Sequence, residues 1–340
     1  MVSPGTHVWW DGRMTDVLIL GGTGWLSGRV AERWRDAGAQ VTCLARGSRP
    51  APEGVQLVIG DREDGSAYDG VSGREWDEVI DISSIPAHVD AAVTQLGPRT
   101  RHWTYVSSVS AYADNDLADA DEGAPLSEPL RPGEEYDYSR AKAAAEAAVR
   151  AALPDRAAIV RPGLVVGPGD LTDRFGYWVG RFALADAEPV LAPRLEGRGA
   201  QVIDVDDVAD FVVRCGAEES GLTANAVGDP TALSALIALA RATAGHTGEL
   251  VEADDDWLEA HDVGYWMGPR SLPLWLPPDM PGFTTRSHAA YSAAGGRLRD
   301  LADTMTRTLA DERERGLDRD RRAGLSRADE RTLLAELSRV

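Results

Sequence analysis

The chain has 340 residues, 43% of them hydrophobic and 26% charged, and this composition excludes a wholly disordered protein because enough apolar surface is present to form a core. Its 55 acidic residues outnumber the 35 basic ones, which gives a formal net charge of -20 at pH 7. Such a surface repels phosphate backbones and anionic lipids, so we expect neither a nucleic-acid partner nor a membrane partner.

The cysteines and the N-terminal residues indicate the cellular compartment of the protein. The two cysteines, Cys43 and Cys215, lie in no CxxC pair and in no Cys/His cluster with metal spacing, so we expect no metal site. No signal-peptide pattern opens the chain, and no apolar run reaches the roughly 18 residues of a membrane span. The sequence therefore predicts a cytoplasmic protein. We expect residues 1–13 to be an irregular leader, with Met14 as an alternative start.

The first predicted elements form a βαβ unit. An apolar run at residues 17–20 predicts a strand that ends in glycines, and residues 25–37 have the pattern of a helix. Gly38 is placed to terminate this helix before a second strand at residues 40–45.

Alternation of strands and helices continues to about residue 169. It predicts an α/β fold, a doubly wound parallel sheet of the Rossmann type, in a dinucleotide-binding domain of residues 14–169. The further strands are expected at residues 55–59, 78–82, 102–107 and 157–160, and the further helices at 87–96 and 138–152.

The remaining chain, residues 170–340, is predicted to form a smaller C-terminal substrate lobe of mixed structure. Within it, residues 201–228 are expected to return to the Rossmann sheet, through a strand and the helix 206–216. The chain ends in stretches dense in Arg, Asp and Glu, which predict amphipathic, solvated helices at 300–315 and 326–338.

Residues 21–28 form a glycine-rich turn between the first strand and the first helix. Backbone N–H groups and the positive helix end converge there, where a pyrophosphate can bind. Gly21 and Gly24 fit a GxxGxxG spacing, but Ser27 stands third and Gly28 comes one residue late. The alternative is a glycine-rich turn without a ligand. The predicted cofactor contacts here are Gly21, Thr23, Gly24, Trp25 and Leu26.

The end of the second strand bears on the choice between NADP and NAD. An NAD-specific site carries an acidic residue there, whereas this chain has Arg46, which suits a 2′-phosphate. NADP is therefore favoured and NAD is the second choice. The alternative reading of Arg46 is a solvated surface arginine. Asp61 and Arg62, after the third strand, are predicted to meet the adenine ring.

Two further motifs carry a family resemblance: residues 105–112 (YVSSVSAY) after a strand, and residues 138–142 (YSRAK) opening a helix. With the glycine-rich turn, they resemble the short-chain dehydrogenase/reductase superfamily, in its extended or atypical epimerase/dehydratase-like branch. Segments 161–169 and 202–208 also resemble that branch, whose members carry labels as different as reductase, sugar dehydratase and RNA-binding protein.

The resemblance implies roles for particular residues. Ser108 matches the active-site serine, and Tyr138 and Lys142 match the YxxxK pair. Tyr138 is then the general acid/base, while Lys142 anchors the nicotinamide ribose and lowers the pKa of Tyr138. The resemblance also places Ser83 and Pro162 among the cofactor contacts. One departure is the predicted helix after the fourth strand, whose first residues offer no asparagine for a proton relay.

Residues 170–178 are the predicted substrate segment. Arg174 is a candidate for holding an anionic group, and Trp178 for offering a stacking face. The alternative is a salt-bridged arginine and a core tryptophan. Three later tryptophans could line an apolar pocket, although packing of the lobe is favoured for them: Trp257, Trp266 and Trp275.

Three functions remain open. The leading hypothesis is an NAD(P)-dependent oxidoreductase that transfers hydride to or from a small-molecule carbonyl or alcohol. The second is a sugar epimerase or dehydratase that recycles its cofactor in place. The third is a non-catalytic dinucleotide-binding regulator or RNA-binding relative. A small-molecule substrate is the expected partner, and a homodimer is compatible with the sequence.

Overall fold

The computed structural model describes residues 14–277 and 279–339, so the predicted leader lies outside the described residues. The strands are, in chain order, β1 (Asp16–Leu20), β2 (Gln40–Ala45), β3 (Gln56–Ile59), β4 (Trp76–Asp81), β5 (Thr100–Val106), β6 (Ala157–Pro162), β7 (Leu164–Val166), β8 (Val190–Pro193), β9 (Gly199–Ala200), β10 (Val202–Asp204), β11 (Thr223–Ala226), β12 (Thr231–Ala232), β13 (Leu250–Ala253), β14 (Gly264–Trp266) and β15 (Ser271–Pro273).

The helices lie between these strands and at the end of the chain. They are α1 (Trp25–Asp36), α2 (Pro86–Leu96), α3 (Tyr138–Ala152), α4 (Arg174–Ala185), α5 (Val205–Ala217), α6 (Leu233–Ala244), α7 (Asp255–Ala260), α8 (Ala289–Ala293), α9 (Leu301–Arg315) and α10 (Arg327–Leu337). Within the described part of the chain, no helix combines the length and the apolar character needed to cross a membrane.

A seven-stranded sheet in the order β11-β6-β5-β4-β1-β2-β3 forms the centre of the molecule, and all its strand pairs are parallel. The strand order reverses between β1 and β4, and ligands of such sheets bind in the crevice at that point, beyond the carboxyl ends of the strands. The prediction of a doubly wound Rossmann fold is confirmed. The seventh strand, β11, pairs with β6 at the sheet edge.

Helices cover both faces of this sheet, so the central strands can be apolar on both sides. Residues 17–20 of β1 are at most 1% exposed. Helices α1 and α5 pack against each other on one face, and α2 and α3 pack against each other on the other. The sheet is therefore buried on both faces, and the polar residues that follow its strands meet at its carboxyl edge.

The smaller lobe has its own hydrophobic core, to which α4, α6, α9 and the parallel pair β8–β13 contribute. Helix α4 is apolar on almost every side, because it lies inside this lobe. Its fully buried aromatic residues are Phe175, Tyr177, Trp178 and Phe182.

Helix α9 is joined by ion pairs to both halves of the molecule. Asp206, at the start of α5, accepts hydrogen bonds from Arg33 of α1 and from Arg307 of α9, both at 2.7 Å. At the other end of α9, Arg315 is paired at 3.1 Å with Asp173, the residue before α4. Helix α9 is thus attached to the dinucleotide half and to the smaller lobe at once.

Candidate active site

A cleft of about 560 Å³ lies at the carboxyl edge of the sheet, bounded by the glycine-rich turn and the ends of β2, β3 and β4. It brings together nine of the residues that the sequence predicted as cofactor contacts. They are Gly21, Thr23, Gly24, Trp25, Leu26, Arg46, Asp61, Arg62 and Ser83.

The local geometry of the glycine-rich turn explains which residues it contains. Gly21 has a φ of 81°, a conformation that side chains disfavour, and a Cβ on Gly22 would lie 2.2 Å from Cys43 Sγ. Ser27, at the position of the expected third glycine, donates its hydroxyl to Gly21 O at 2.7 Å and accepts from Gly24 N at 2.9 Å. The serine therefore stabilises the turn through its hydrogen bonds, and Gly28 is not needed for close packing.

Trp25 connects the turn to the Pro/Gly segment that follows β7. Its indole N–H donates to Pro168 O at 2.8 Å, and a Cβ on Gly169 would come within 3.0 Å of that nitrogen. Pro162, by contrast, is buried at the end of β6 and does not line the cleft.

Arg46 follows β2 and is exposed on the wall of the cleft. It forms no ion pair with any residue that the structure describes, so its guanidinium has donors available for a ligand. Asp61 is likewise exposed at the cleft wall.

Arg62 also lines the cleft, but its donors are already used. It forms a bidentate pair with Asp81 (2.9 and 2.7 Å) and also donates to Tyr68 Oη at 2.9 Å and to His88 O at 2.6 Å. Burial opposes the charge of Arg62, but its partners outweigh burial and raise its pKa. The predicted contact of Arg62 with adenine through these donors is not available in this geometry.

Ser108 and Tyr138 lie together at the end of β5. Ser108 caps a short 3₁₀ turn and accepts from Ser110 N at 3.0 Å. Tyr138 is the first residue of α3, which begins there because the Asp137 carboxylate accepts from Arg140 N at 2.8 Å. The Tyr138 phenol lies near the Ser108 side chain.

The environment of the Tyr138 phenol keeps it protonated in the free protein. The residue as a whole is 44% exposed, but its phenol end is desolvated, and this desolvation raises the pKa of Tyr138. The nearby Ser108 side chain and the positive charge of Arg174 oppose that rise in the pKa of Tyr138. The lowering of the pKa of Tyr138 by Lys142 stays a prediction, and in the free protein the effect of desolvation is larger than the opposing ones.

Lys142 is directed instead at the main chain. It is 2% exposed, and its Nζ donates to the carbonyl oxygens of Val106 (2.8 Å), Ser83 (3.0 Å) and Ile82 (3.5 Å). Desolvation lowers the pKa of Lys142 to about 8, although the carboxylate of Asp81 opposes this effect. The ammonium lies at the junction of β4, β5 and α3, one helical turn after Tyr138.

Arg174 lies within electrostatic reach of Tyr138. Its Nε donates to Thr172 Oγ1 at 3.2 Å, and its guanidinium carbon is 5.2 Å from the centre of the Trp266 ring. Its two terminal nitrogens form no hydrogen bond with any residue in the described ranges. Trp266 has a φ of 63°, a strained conformation for a bulky residue.

The position of Trp178 contradicts the prediction that its ring stacks on a substrate. It is 0% exposed in the core of the smaller lobe, and its indole N–H donates to Pro273 O at 2.7 Å. Trp178 cannot offer a face to a substrate. The aromatic ring next to Arg174 is that of Trp266, which the sequence had favoured as a packing residue.

Comparison with known proteins gives one family. Residues 89–226 match the model of the NAD dependent epimerase/dehydratase family. The matched segment runs from α2 to β11 and includes Ser108, Tyr138 and Lys142. The predicted resemblance is confirmed, and so is the prediction of an enzyme that depends on a nicotinamide dinucleotide. No curated protein matches the chain.

The fold of the chain is shared by many solved structures. One is a putative epimerase from Burkholderia cenocepacia, with 20% identity, a TM-score of 0.69 and coverage of 88% of this chain and 98% of that one. Another is the UDP-glucose 4-epimerase of Thermotoga maritima, solved with UDP-glucose, with 14% identity, a TM-score of 0.65 and coverage of 88% and 99%. A third is the Bordetella bronchiseptica enzyme WbmH in complex with NAD⁺, with 16% identity, a TM-score of 0.63 and coverage of 88% and 99%.

Two residues near Lys142 and one near Arg174 were not predicted as site residues from the sequence. Asp81, fully buried at the end of β4, and Tyr105, fully buried in β5, both contact the turn that holds Lys142. A signal for Asp81 was present, because a carboxylate that ends a buried strand needs a partner. Trp266 carried no such signal.

Proposed function

We propose that the protein is an NAD(P)-dependent oxidoreductase that transfers hydride to or from a small-molecule carbonyl or alcohol. The observation that carries this proposal is the approach of the Tyr138 phenol to the Ser108 side chain, together with Lys142, whose ammonium binds the carbonyl oxygens of Ile82 and Ser83 in the wall of the dinucleotide cleft. Tyr138 would exchange a proton with the substrate oxygen, and Ser108 would hold that oxygen. The cofactor would supply or accept the hydride.

The protonation state of Tyr138 supports the reducing direction. Reduction of a carbonyl needs an acid that protonates the developing alkoxide, and a phenol with a raised pKa is fully protonated near neutral pH. A screen of aldehydes, ketones and nucleotide sugars that follows NADPH absorbance tests the proposal. We expect net loss of NADPH with a carbonyl substrate. Binding of NADPH without any turnover would instead support the regulator or RNA-binding alternative.

A sugar epimerase or dehydratase is the second candidate, and the family description and the epimerases among the similar folds favour it. Such an enzyme returns its cofactor to the starting state in every cycle. The same screen separates the two candidates, because product would then form from a nucleotide sugar without a net change in NADPH. The open cleft, with residues 46–50 exposed at its rim, supports exchange of the cofactor and hence the oxidoreductase.

We further propose that NADP(H) binds more tightly than NAD(H), because Arg46 stands where an acidic residue would contact the ribose. Hydrogen bonds to charged groups contribute about 1.5–3 kcal/mol, so we expect Arg46→Ala to reduce the preference for NADP(H) roughly tenfold or more. Titration of both cofactors by tryptophan fluorescence measures this, since Trp25 lines the cleft. Arg99→Ala, at an exposed ion pair, is the control. Equal affinities for the two cofactors in the unmodified protein would contradict the proposal.

The substrate is proposed to carry an anionic group that binds Arg174. The support is a half-buried guanidinium with free terminal nitrogens, next to Trp266 and within electrostatic reach of Tyr138. We expect Arg174→Gln to raise KM for a carboxylated or phosphorylated carbonyl substrate roughly ten- to hundredfold, with little effect on a neutral one. Steady-state kinetics on matched substrate pairs measures this.

The control for Arg174→Gln is Arg313→Gln, which removes the same charge from an exposed position on α9. An equal rise in KM for charged and neutral substrates would show that Arg174 has only a structural role.

We base our proposals for the cellular compartment and the binding partners of the protein on its charge and its cysteines. We propose a cytoplasmic enzyme, because Cys43 and Cys215 are both free and buried. The net charge of -20 supports a small-molecule substrate over nucleic acid or membrane. A homodimer is the assembly that we propose to test by light scattering.

A further inference from the structure

The turn after β4 is held by a buried ion pair. Arg62 binds both oxygens of Asp81, and Asp81 Oδ1 also accepts from Ser83 N at 2.9 Å. Asp81 is 0% exposed, and its side chain has the arginine and the turn as partners. A carboxylate in this position fixes the path of residues 81–83, since it bonds to the main chain two residues further on.

The carbonyl oxygens of this turn receive Lys142. An ammonium group has three donors, and here all three meet main-chain carbonyls, two of which belong to Ile82 and Ser83. No donor is left for a ribose hydroxyl. Lys142 must therefore release at least one carbonyl when it binds a cofactor.

Tyr105 determines which carbonyl can be released. Its hydroxyl donates to Ser83 O at 2.9 Å, so this oxygen keeps a hydrogen bond when Lys142 leaves it. The same Tyr105 ring faces the ammonium, with Nζ 4.9 Å from the ring centre. A buried carbonyl that loses its donor carries a desolvation penalty. Because Tyr105 still donates to Ser83 O, Lys142 can leave this carbonyl for the cofactor without that penalty.

We propose that Asp81 and Tyr105 are positioning residues for Lys142: Asp81, fixed by Arg62, shapes the turn that holds the ammonium, and Tyr105 allows the ammonium to exchange the Ser83 carbonyl for the cofactor. The inference rests on the cofactor-binding role of Lys142 in the proposed function. Its tests need no substrate, so they remain informative if the oxidoreductase reaction is never found.

The first test replaces Tyr105 by phenylalanine, which keeps the ring and removes the hydroxyl. Release of Ser83 O would then leave this carbonyl without a donor, so we expect the Kd for NADPH to rise at least about fivefold. The control is Tyr291→Phe, which also removes one phenol-to-carbonyl hydrogen bond (to Arg297 O, 2.7 Å) from a buried tyrosine, but away from the cleft.

Fluorescence titration gives Kd, and thermal unfolding of both variants shows whether any loss is structural. The proposal for Tyr105 is overturned if Tyr105→Phe and Tyr291→Phe bind NADPH equally well.

The second test measures Lys142 in the free protein. The groups that face its ammonium are Asp81 from β4, Tyr105 from β5 and Glu146 from α3. Asp81→Asn removes one of the two carboxylates and leaves the positive charge of Arg62 without its partner. Lys142 should therefore lose its proton at lower pH. Acylation of Lys142 by acetic anhydride, followed by mass spectrometry across pH 6–10, should show a midpoint about one pH unit lower.

Asp16→Asn is the matched control, because Asp16 is also paired with an arginine (Arg74, 2.9 Å) but lies at the opposite end of the central strand β1. We expect its midpoint to equal that of the unmodified protein. An unchanged midpoint in folded Asp81→Asn would overturn the role of Asp81. If Asp81→Asn fails to fold, Tyr105→Phe decides the proposal.

Discussion

Replacing Tyr138 by phenylalanine is expected to reduce turnover about 10²–10⁴-fold, the usual contribution of a general acid or base. The phenol lies near the Ser108 side chain and is the proposed proton donor, whereas the ring is partly exposed and contributes little to the core. The fold and NADPH affinity should therefore remain unchanged. Turnover on the substrate found in the screen, with circular dichroism and fluorescence titration, measures all three properties.

The chain offers a close control for this change. Tyr136 is exposed, lies two residues earlier and donates weakly to Ser84 O at 3.4 Å, but its i+4 residue is Arg140. Tyr136→Phe should keep nearly all activity. Near-normal turnover in Tyr138→Phe would remove the catalytic assignment and favour a non-catalytic dinucleotide-binding protein.

Replacing Glu146 by methionine is expected to lower the free energy of unfolding by about 3–5 kcal/mol, because it leaves a buried arginine without its carboxylate. Glu146 accepts from Arg161 Nε at 2.8 Å and from Nη2 at 2.7 Å, and both residues are at most 2% exposed. Methionine has a similar volume and suits the helix, so the loss of charge accounts for the effect. Urea denaturation measures the change.

Glu75→Met provides the comparison, since Glu75 pairs with Arg99 at 3.3 Å on the surface. Exposed pairs contribute at most about 1 kcal/mol, so this variant should remain close to the unmodified protein. Equal stabilities of the two variants would mean that Tyr112 Oη and Glu122 O, which also accept from Arg161, are sufficient partners.

The dinucleotide half could be predicted because its signals are local. The turn at residues 21–28 lies between a strand and a helix that each have a clear hydrophobic period, and the end of β2 follows at a fixed distance. Arg46 was therefore placed on the cleft wall without any knowledge of tertiary contacts. The role of Ser27 was not predicted, because spacing alone does not reveal which carbonyl a hydroxyl reaches.

The substrate side could be predicted less well, because its contacts are between residues far apart in the sequence. Helix α4 carries apolar residues on almost every side, so its pattern did not show whether Trp178 faces the site or the core. Trp266 reaches Arg174 from a residue 92 positions later in the chain. Arg62 and Asp81 likewise meet only because β3 and β4 belong to the same sheet.

The attachment of α9 to both halves of the molecule affects how the site can work. Its Arg307 shares Asp206 with Arg33, and its Arg315 holds the residue before Arg174. A hinge motion that opened the two halves would have to separate these ion pairs or carry the helix along. Substrate and cofactor should therefore meet in a preorganised site, where binding is not delayed by domain closure.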